Sequence, residues 1–159
     1  MDIELLNRNK NINRGFRELI VWQESSELYK IVKNKIRSLK NVPFKVCAQV
    51  EESMFSVSSN IAEGYCRRSI KENIQFINIA IASLGENYSQ IFTLTNAEDI
   101  DTEWFNHYDK IHYSLENKLV KLNQKYIQKL KDKDEWKDDY HVRELSESYN
   151  LTTIHPNEE

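Results

Sequence analysis

The chain has 159 residues, with three glycines and two prolines, and a formal net charge of −3. Its length favours one domain with a core of its own, and the scarcity of glycine and proline argues for long elements and against a turn-rich β protein. No run of about 18 apolar residues is present and the polar N-terminus lacks a signal-peptide segment, so we expect no membrane association and a cytoplasmic location.

The charge is unevenly distributed along the chain. Residues 132–159 hold three basic and nine acidic residues, which gives this segment a charge of −6, whereas the body of the chain is close to neutral. A near-neutral body with an acidic tail is not the pattern of a nucleic-acid binder, which usually shows a basic stripe.

The first long element follows residues 1–15, which are predicted to form a flexible N-terminal arm. A helix is predicted over residues 18–39, because apolar side chains recur there at three- and four-residue steps on one face. These side chains are Leu28, Ile31, Val32, Ile36 and Leu39. Basic residues cover the other sides, and a basic last half suits the negative end of the helix dipole. The alternative is that these cations, Lys33 and Arg37 among them, form a ligand-binding patch.

A second helix is predicted over residues 43–63. Pro43 suits its first turn, where the missing N–H costs nothing. The helix is rich in small residues, which let neighbouring backbones approach: Ala48, Ser53, Ser56, Ser58, Ser59 and Ala62. Its apolar side chains occupy more than one side, so we expect it to contact more than one partner element.

The corner between the second and third helices organises the chain. Gly64 follows a long apolar-periodic run, where a glycine in the left-handed conformation can close a helix. Ser69 and Glu72 form a capping box, in which the hydroxyl accepts from the N–H of Glu72 and the carboxylate reaches back to the N–H of Ser69. So short a connection predicts two antiparallel neighbouring helices.

The third helix, predicted over residues 69–95, has the clearest periodicity. Its heptad seam consists of Ile70, Ile74, Ile77, Ile81, Leu84, Tyr88 and Ile91. A second seam beside it consists of Phe76, Ala80, Ser83 and Asn87. Two seams predict burial on two sides, within the domain and against another subunit.

Asp101 is the predicted N-cap of a fourth helix over residues 102–131. Beyond it, residues 132–159 lose the periodicity and are predicted to form an acidic C-terminal extension, mostly disordered or in part a short helix. With short connections between them, the four helices predict an all-α fold. The expected architecture is an antiparallel up-down-up-down four-helix bundle over residues 16–131.

No catalytic, cofactor or metal site is predicted, and no enzyme activity is expected. The chain has no Glu-x-x-His motif of the kind that bundle metal sites use, no Gly-rich phosphate loop and no Gly-x-Ser-x-Gly. Cys47 and Cys66 are isolated thiols without metal spacing, and we interpret them as small buried residues in a reducing compartment.

The polar residues of the corner allow two interpretations. In the structural interpretation, Glu63 or Glu72 pairs with one of two arginines, and Asn60 hydrogen-bonds across helices. In the functional interpretation, cations meet phosphate or an acidic partner. The candidate binding residues are Arg67, Arg68, Lys71, Lys33 and Arg37. The residues predicted to build the corner itself are Asn60, Glu63, Gly64, Ser69 and Glu72.

Three stretches carry a family likeness: Phe16-Arg17-Glu18-Leu19-Ile20-Val21-Trp22-Gln23, then Asn60-Ile61-Ala62-Glu63-Gly64 with Arg67-Arg68-Ser69 and Glu72, then Phe76-Ile77-Asn78-Ile79-Ala80 with Ser83 and Glu86. Over residues 16–130 the chain resembles the bacterial four-helix-bundle family first known from open reading frames in intervening sequences of large-subunit ribosomal RNA genes. The resemblance implies an antiparallel bundle that assembles as a ring-like homopentamer, with a poorly defined molecular function.

A related branch, the accessory proteins of diversity-generating retroelements, is similar in fold and works with a reverse transcriptase and RNA. This chain departs from the family pattern at two places. Where the family usually has Gln-x-Arg-Arg, the chain has Gln49-Val50-Glu51-Glu52, which reverses the charge. Where the family usually has Gly-Ser, it has Ala82-Ser83.

Two classes of function follow from these observations. The first is a non-enzymatic oligomeric adaptor associated with RNA or a reverse transcriptase, which the resemblance, the two corner arginines and the lysines of the first and fourth helices favour. The alternative is a protein-binding scaffold with no nucleic-acid contact, which the reversed charge at residues 51–52 and the acidic tail favour.

Overall fold

The computed structural model describes residues 3–67 and 69–132, and within these ranges it is all-helical, as predicted, with no strand. The described ranges contain one 3₁₀ helix and five α-helices. They are α1 (Ile3–Asn7), the 3₁₀ helix (Ile12–Glu18), α2 (Ile20–Ser38), α3 (Phe44–Cys66), α4 (Ile70–Asn96) and α5 (Thr102–Lys131). The predicted acidic extension beyond residue 132 lies outside the described residues, and so does Arg68.

The first predicted helix begins later than expected. Leu19 has extended backbone angles (φ −71°, ψ 121°), and its N–H donates to the carbonyl of Phe16 at 3.0 Å, so it separates the 3₁₀ helix from α2. The predicted arm also holds structure, since it contains α1 and part of the 3₁₀ helix. Asn11 caps the latter by accepting from the N–H of Arg14 at 3.0 Å, and Arg17 donates to the carbonyl of Leu5 at 3.1 Å. The flexibility of residues 1–15 stays a prediction.

The four long helices share one core. Each packs against the next along the chain, and α2 also packs against α5, so that apolar faces meet from four sides. The largest aliphatic side chains that are completely or almost completely buried are Leu28, Ile36, Met54, Ile61, Ile77, Leu84, Ile91, Ile100, Leu115 and Leu119. Each such side chain contributes roughly 1.5–3 kcal/mol to folding by leaving water. None of the helices in the described ranges is long and apolar enough to cross a membrane.

Both predicted seams of α4 are turned inwards within this single chain. Ile70, Ile77, Leu84 and Ile91 of the first seam are buried, and its other members are half-buried. Ala80, Ser83 and Asn87 of the second seam are buried as well. Because α4 packs against α3 and also against α5, the chain itself covers two sides of the helix. Contact with another subunit stays a prediction.

Candidate interaction site at the α3–α4 corner

Gly64 does not end a helix, so the predicted left-handed closure is wrong. No glycine in the described part of the chain has a positive φ, and α3 continues to Cys66. Gly64 is buried against α4, where a Cβ at this position would lie 2.8 Å from the Cβ of Phe76 and 3.2 Å from Oδ1 of Asn73. The residue is therefore small because two helices approach closely here.

Ser69 is the N-cap of α4, as predicted. Its backbone is extended (φ −120°, ψ 141°), and its hydroxyl accepts from the N–H of Glu72 at 3.1 Å. The carboxylate of Glu72, which the predicted capping box directs back to Ser69, lies 4.0 Å from Nη1 of Arg67. The corner therefore supplies a hydrogen-bond acceptor for a backbone N–H in the first turn of α4. It also places the carboxylate of Glu72 beside Arg67.

Arg67 is held by the corner itself. Its guanidinium donates to the carboxylate of Glu63 one turn earlier, and it lies over the ring of Phe76, 4.7 Å from the centroid. With Glu72 also nearby, two carboxylates surround this one cation. This arrangement matches the structural interpretation of the corner, whereas a role of Arg67 in nucleic-acid binding stays a prediction.

Asn60 does not bond across helices, contrary to the structural interpretation. Its amide donates to the carbonyl and to the hydroxyl of Ser56, at 2.7 and 2.9 Å, within its own helix. The hydroxyl of Ser56 then lies 3.1 Å from that of Ser83 on α4. The connection between the two helices is thus made by small hydroxyl side chains, which fit where the backbones are close.

The candidates on α2 lie far from the corner. Arg37 makes a two-fold ion pair with Glu51, at 2.9 and 3.1 Å, which raises the pKa of the guanidinium. Glu51 precedes Arg67 by sixteen residues on α3, which corresponds to roughly 24 Å along the helix. Lys33 is half-buried, with its ammonium 5.6 Å from the ring centroid of Tyr29. Lys33 and Arg37 therefore lie one turn apart on α2, away from the corner that holds Arg67, and Lys71 lies in the first turn of α4 at that corner.

Glu51, the first acid of the Gln49-Val50-Glu51-Glu52 stretch, has a partner within this chain. Its carboxylate accepts both hydrogen bonds of Arg37 from α2. The pairing fixes α2 to α3 with bidentate geometry. It also leaves Arg37 with less capacity to bind an external phosphate.

Sequence reasoning missed a buried polar network between α3, α4 and α5. Asn87 donates to the carbonyl of Val50 at 2.9 Å and to the hydroxyl of Ser53 at 3.0 Å, and accepts from the hydroxyl of Tyr108 at 2.9 Å. Burial raises the pKa of Tyr108 and keeps it a hydrogen-bond donor. The available signal was Asn87 inside a predicted apolar seam, because a polar residue there needs partners.

The described residues offer little for metal or thiol chemistry. No group of three or more histidine, cysteine or acidic side chains within them is arranged to hold a metal ion. His112 is buried, with Nε2 3.0 Å from the carbonyl of Leu84. Cys66 is exposed, which corrects the expectation of burial, and its thiol donates to the carbonyl of Asn13 at 3.2 Å. Desolvation raises the pKa of this thiol, and a raised pKa lowers its nucleophilic reactivity.

The 3₁₀ helix and the end of α5 lie at the same end of the molecule as the corner. Besides the Cys66 contact, Phe16 packs against Tyr65 with ring centroids 6.5 Å apart. On α5, Tyr126 is hydrogen-bonded to Asn73 of α4, which places the last turns of α5 beside the corner. We call this region the basic end, because it gathers exposed cations from several elements: Arg14, Lys71, Lys121, Lys125 and Lys131.

The comparisons with known proteins agree with the likeness seen in the sequence. The family described as 23S rRNA-intervening sequence protein matches residues 17–121, from the 3₁₀ helix into α5, which is about two thirds of the chain. No curated protein and no solved structure matches this chain. The matched segment contains the whole α3–α4 corner with Gly64, Ser69 and Glu72. The chain therefore belongs to the 23S rRNA-intervening sequence protein family.

Proposed function

We propose that this chain is a non-enzymatic adaptor that assembles as a homo-oligomer, most simply the pentamer that the resemblance implies. Each subunit would be an antiparallel up-down-up-down four-helix bundle that contacts RNA, or a reverse transcriptase bound to RNA, through the basic end. The observation that carries this proposal is that Lys71, Lys121 and Lys125 are exposed there and make no ion pair within residues 3–67 and 69–132.

The contribution of the individual cations follows from their partners. A lysine that has no carboxylate partner can bind an RNA phosphate directly and displace a cation condensed on the RNA. A paired arginine must first break its internal ion pair. Lys71, Lys121 and Lys125 belong to the first kind, and Arg37 and Arg67 belong to the second. We therefore assign most of the phosphate affinity to the three lysines.

The oligomer is supported by large apolar side chains that the single chain leaves exposed. Phe44 is 87% exposed at the start of α3, and Phe55 and Phe92 are each about half exposed. Residues of this kind gain free energy when another copy covers them. Light scattering is expected to give a multiple of 18.9 kDa, and a monomer at micromolar concentration would contradict the assembly.

A protein-binding scaffold without nucleic-acid contact is the second candidate. Two observations favour it. Phe44 is exposed. Arg37 pairs with Glu51, and Glu51 and Glu52 stand where the resemblance leads us to expect two arginines. The scaffold would use apolar contact, so its binding would depend weakly on salt, whereas phosphate binding weakens steeply as salt rises.

RNA binding measured against salt concentration separates the two candidates. We expect the full chain to bind single-stranded RNA at low salt, with each phosphate contact adding about −0.7 to the slope of log K against log salt. A variant in which alanine replaces Lys71, Lys121 and Lys125 should have a slope that is less negative by up to about two. The matched control carries alanine at Lys40, Lys45 and Lys110, which are exposed lysines away from the corner that make no ion pair with any described residue.

The outcomes are distinct for the two functions. A chain that ends at Lys131 lacks the acidic tail and should bind RNA more tightly than the full chain. If neither form binds RNA at low salt, or if the control triple variant reduces the slope equally, RNA contact through the basic end is refuted. Co-purification with a reverse transcriptase that survives nuclease treatment would then support the scaffold.

A further inference from the structure

A groove of about 470 Å³ lies between the start of α2 and the second half of α5. Leu19, Ile20 and Leu122 form its apolar floor, and 63% of the Ile20 surface is exposed. An isoleucine in this position gains free energy from contact with another apolar group. The groove is therefore suited to receive a large apolar or aromatic side chain.

The charged residues that line the groove are three lysines and one glutamate. Lys118, Lys121 and Lys125 stand along α5, at spacings of three and four residues, on one edge. Lys118 is paired with Glu24 of α2. Glu18 also lines the groove, but its carboxylate is paired with Lys10 at 3.2 Å. Lys121 and Lys125 make no ion pair with any described residue, so the groove presents two uncompensated cations beside its apolar residues.

The C-terminal segment has the complementary pattern. Residues 133–159 follow α5 directly and are strongly acidic. Trp136 is preceded by Asp134-Glu135, and Tyr140 is preceded by Asp138-Asp139. Each aromatic side chain thus carries two adjacent carboxylates, and indole rings also interact favourably with lysine ammonium groups.

The segment starts within reach of the groove. α5 ends at Lys131, since the N–H of Asp132 donates to the carbonyl of Gln128 at 3.0 Å, and the amide of Gln128 donates to the carboxylate of Asp132 at 2.7 Å. Lys125 lies roughly 9 Å back along the helix. The five residues from Lys131 to Trp136 span up to about 17 Å when extended, which is sufficient for a reversal.

We propose that the chain's own C-terminal segment folds back along α5 and inserts Trp136 into this groove. The indole covers Ile20 and Leu122, and the acidic residues around it face Lys121 and Lys125. A tethered segment has an effective concentration on the order of millimolar, so a weak contact is enough to keep the groove occupied. The docked segment shields two cations of the basic end, and it therefore lowers the affinity of that end for phosphate.

Fluorine NMR on the full chain tests this contact directly. The chain is labelled with 5-fluorotryptophan, the Trp136 resonance is assigned with Trp136→Phe, and a synthetic peptide of residues 133–159 gives its free position. We expect the Trp136 resonance of the full chain to be displaced from the free position. Lys121→Glu combined with Lys125→Glu should return it to the free position, and so should high salt in part.

A matched variant controls for the change in charge. Lys40→Glu combined with Lys110→Glu alters the same charge at exposed positions outside the groove and should leave the resonance displaced. The proposal is overturned if the Trp136 resonance of the full chain is already at the free position. It is overturned equally if the groove variant leaves the resonance displaced, or if the control variant moves it as far.

Subunit exchange identifies whose segment is docked. Labelled full chain is mixed with an excess of unlabelled chain that carries glutamate at Lys121 and Lys125, and the oligomers are allowed to exchange. A segment docked on its own chain keeps its displaced resonance. A segment docked on a neighbouring copy meets a disabled groove and returns to the free position, which would refute docking within one chain.

Discussion

The close approach of α3 and α4 at Gly64 leads to a prediction with a definite sign. Gly64→Ala adds a Cβ that would lie 2.8 Å from the Cβ of Phe76 and 3.2 Å from Oδ1 of Asn73. The Cβ of Phe76 is bonded to the α4 backbone, so rotation of a side chain cannot relieve the overlap. The two helices must separate instead, and this disturbs the core beneath them.

The size of the effect follows from two opposing contributions. Overpacking a tight contact costs about 1–3 kcal/mol, whereas alanine is favoured over glycine in a helix by about 1 kcal/mol. We therefore expect Gly64→Ala to lose about 1 kcal/mol of unfolding free energy. Gly85→Ala is the matched control on α4, since its Cβ would have no atom within 4 Å. It should gain about 0.5–1 kcal/mol.

Urea denaturation followed by far-UV circular dichroism measures both variants against the parent. All samples are kept at the same protein concentration, because association stabilises the folded state by mass action. The parent midpoint should lie between those of the two variants, with the slopes unchanged. If Gly64→Ala unfolds at the same urea concentration as Gly85→Ala or at a higher one, the helices are not in close contact at Gly64.

Further predictions concern the cap and the buried network. Ser69→Ala should lower the free energy of unfolding by about 1 kcal/mol, because it removes the acceptor for the Glu72 N–H, whereas Ser69→Asp should keep most of the stability. Equal urea midpoints for the parent and both variants would exclude the cap. Tyr108→Phe leaves Oδ1 of Asn87 without its donor and should cost about 1–3 kcal/mol in the same assay, and an unchanged midpoint would contradict the network. Because burial raises the pKa of Tyr108 in the folded state, the folded chain retains a proton that the unfolded chain loses above about pH 10, so stability should fall as pH rises beyond that value. This decline should be less steep in Tyr108→Phe, and parallel pH profiles for the two chains would refute the assignment.

Features that depend on neighbours along the chain were predictable. The N-caps Ser69 and Asp101 bond to residues three positions ahead, and both are present as predicted, with Asp101 accepting from the N–H of Trp104 at 2.7 Å. The four long helices follow from apolar periodicity, with errors of a few residues at their ends. Local interactions of this kind involve groups whose separation is set by the helix geometry alone.

Other features had a signal in the sequence that admitted two explanations. Gly64 can close a helix or let two helices approach, and the sequence does not reveal that Phe76 stands opposite. Asn87 in an apolar seam indicated a polar contact, but not that Tyr108 would supply the donor. The arginines of the corner could be free or paired, and only the arrangement around Arg67 distinguishes these states.

The sequence by itself determined that the chain is helical, where its long helices lie and which of their faces are apolar. These properties can be read from the sequence because apolar residues recur with the period of a helical turn. The tertiary structure alone decided which faces meet. The pairing of Arg37 with Glu51, the groove beside Ile20 and the exposure of Lys121 and Lys125 all depend on how α2 lies against α3 and α5. That arrangement buries apolar side chains from all four long helices in one core, and no single segment encodes it.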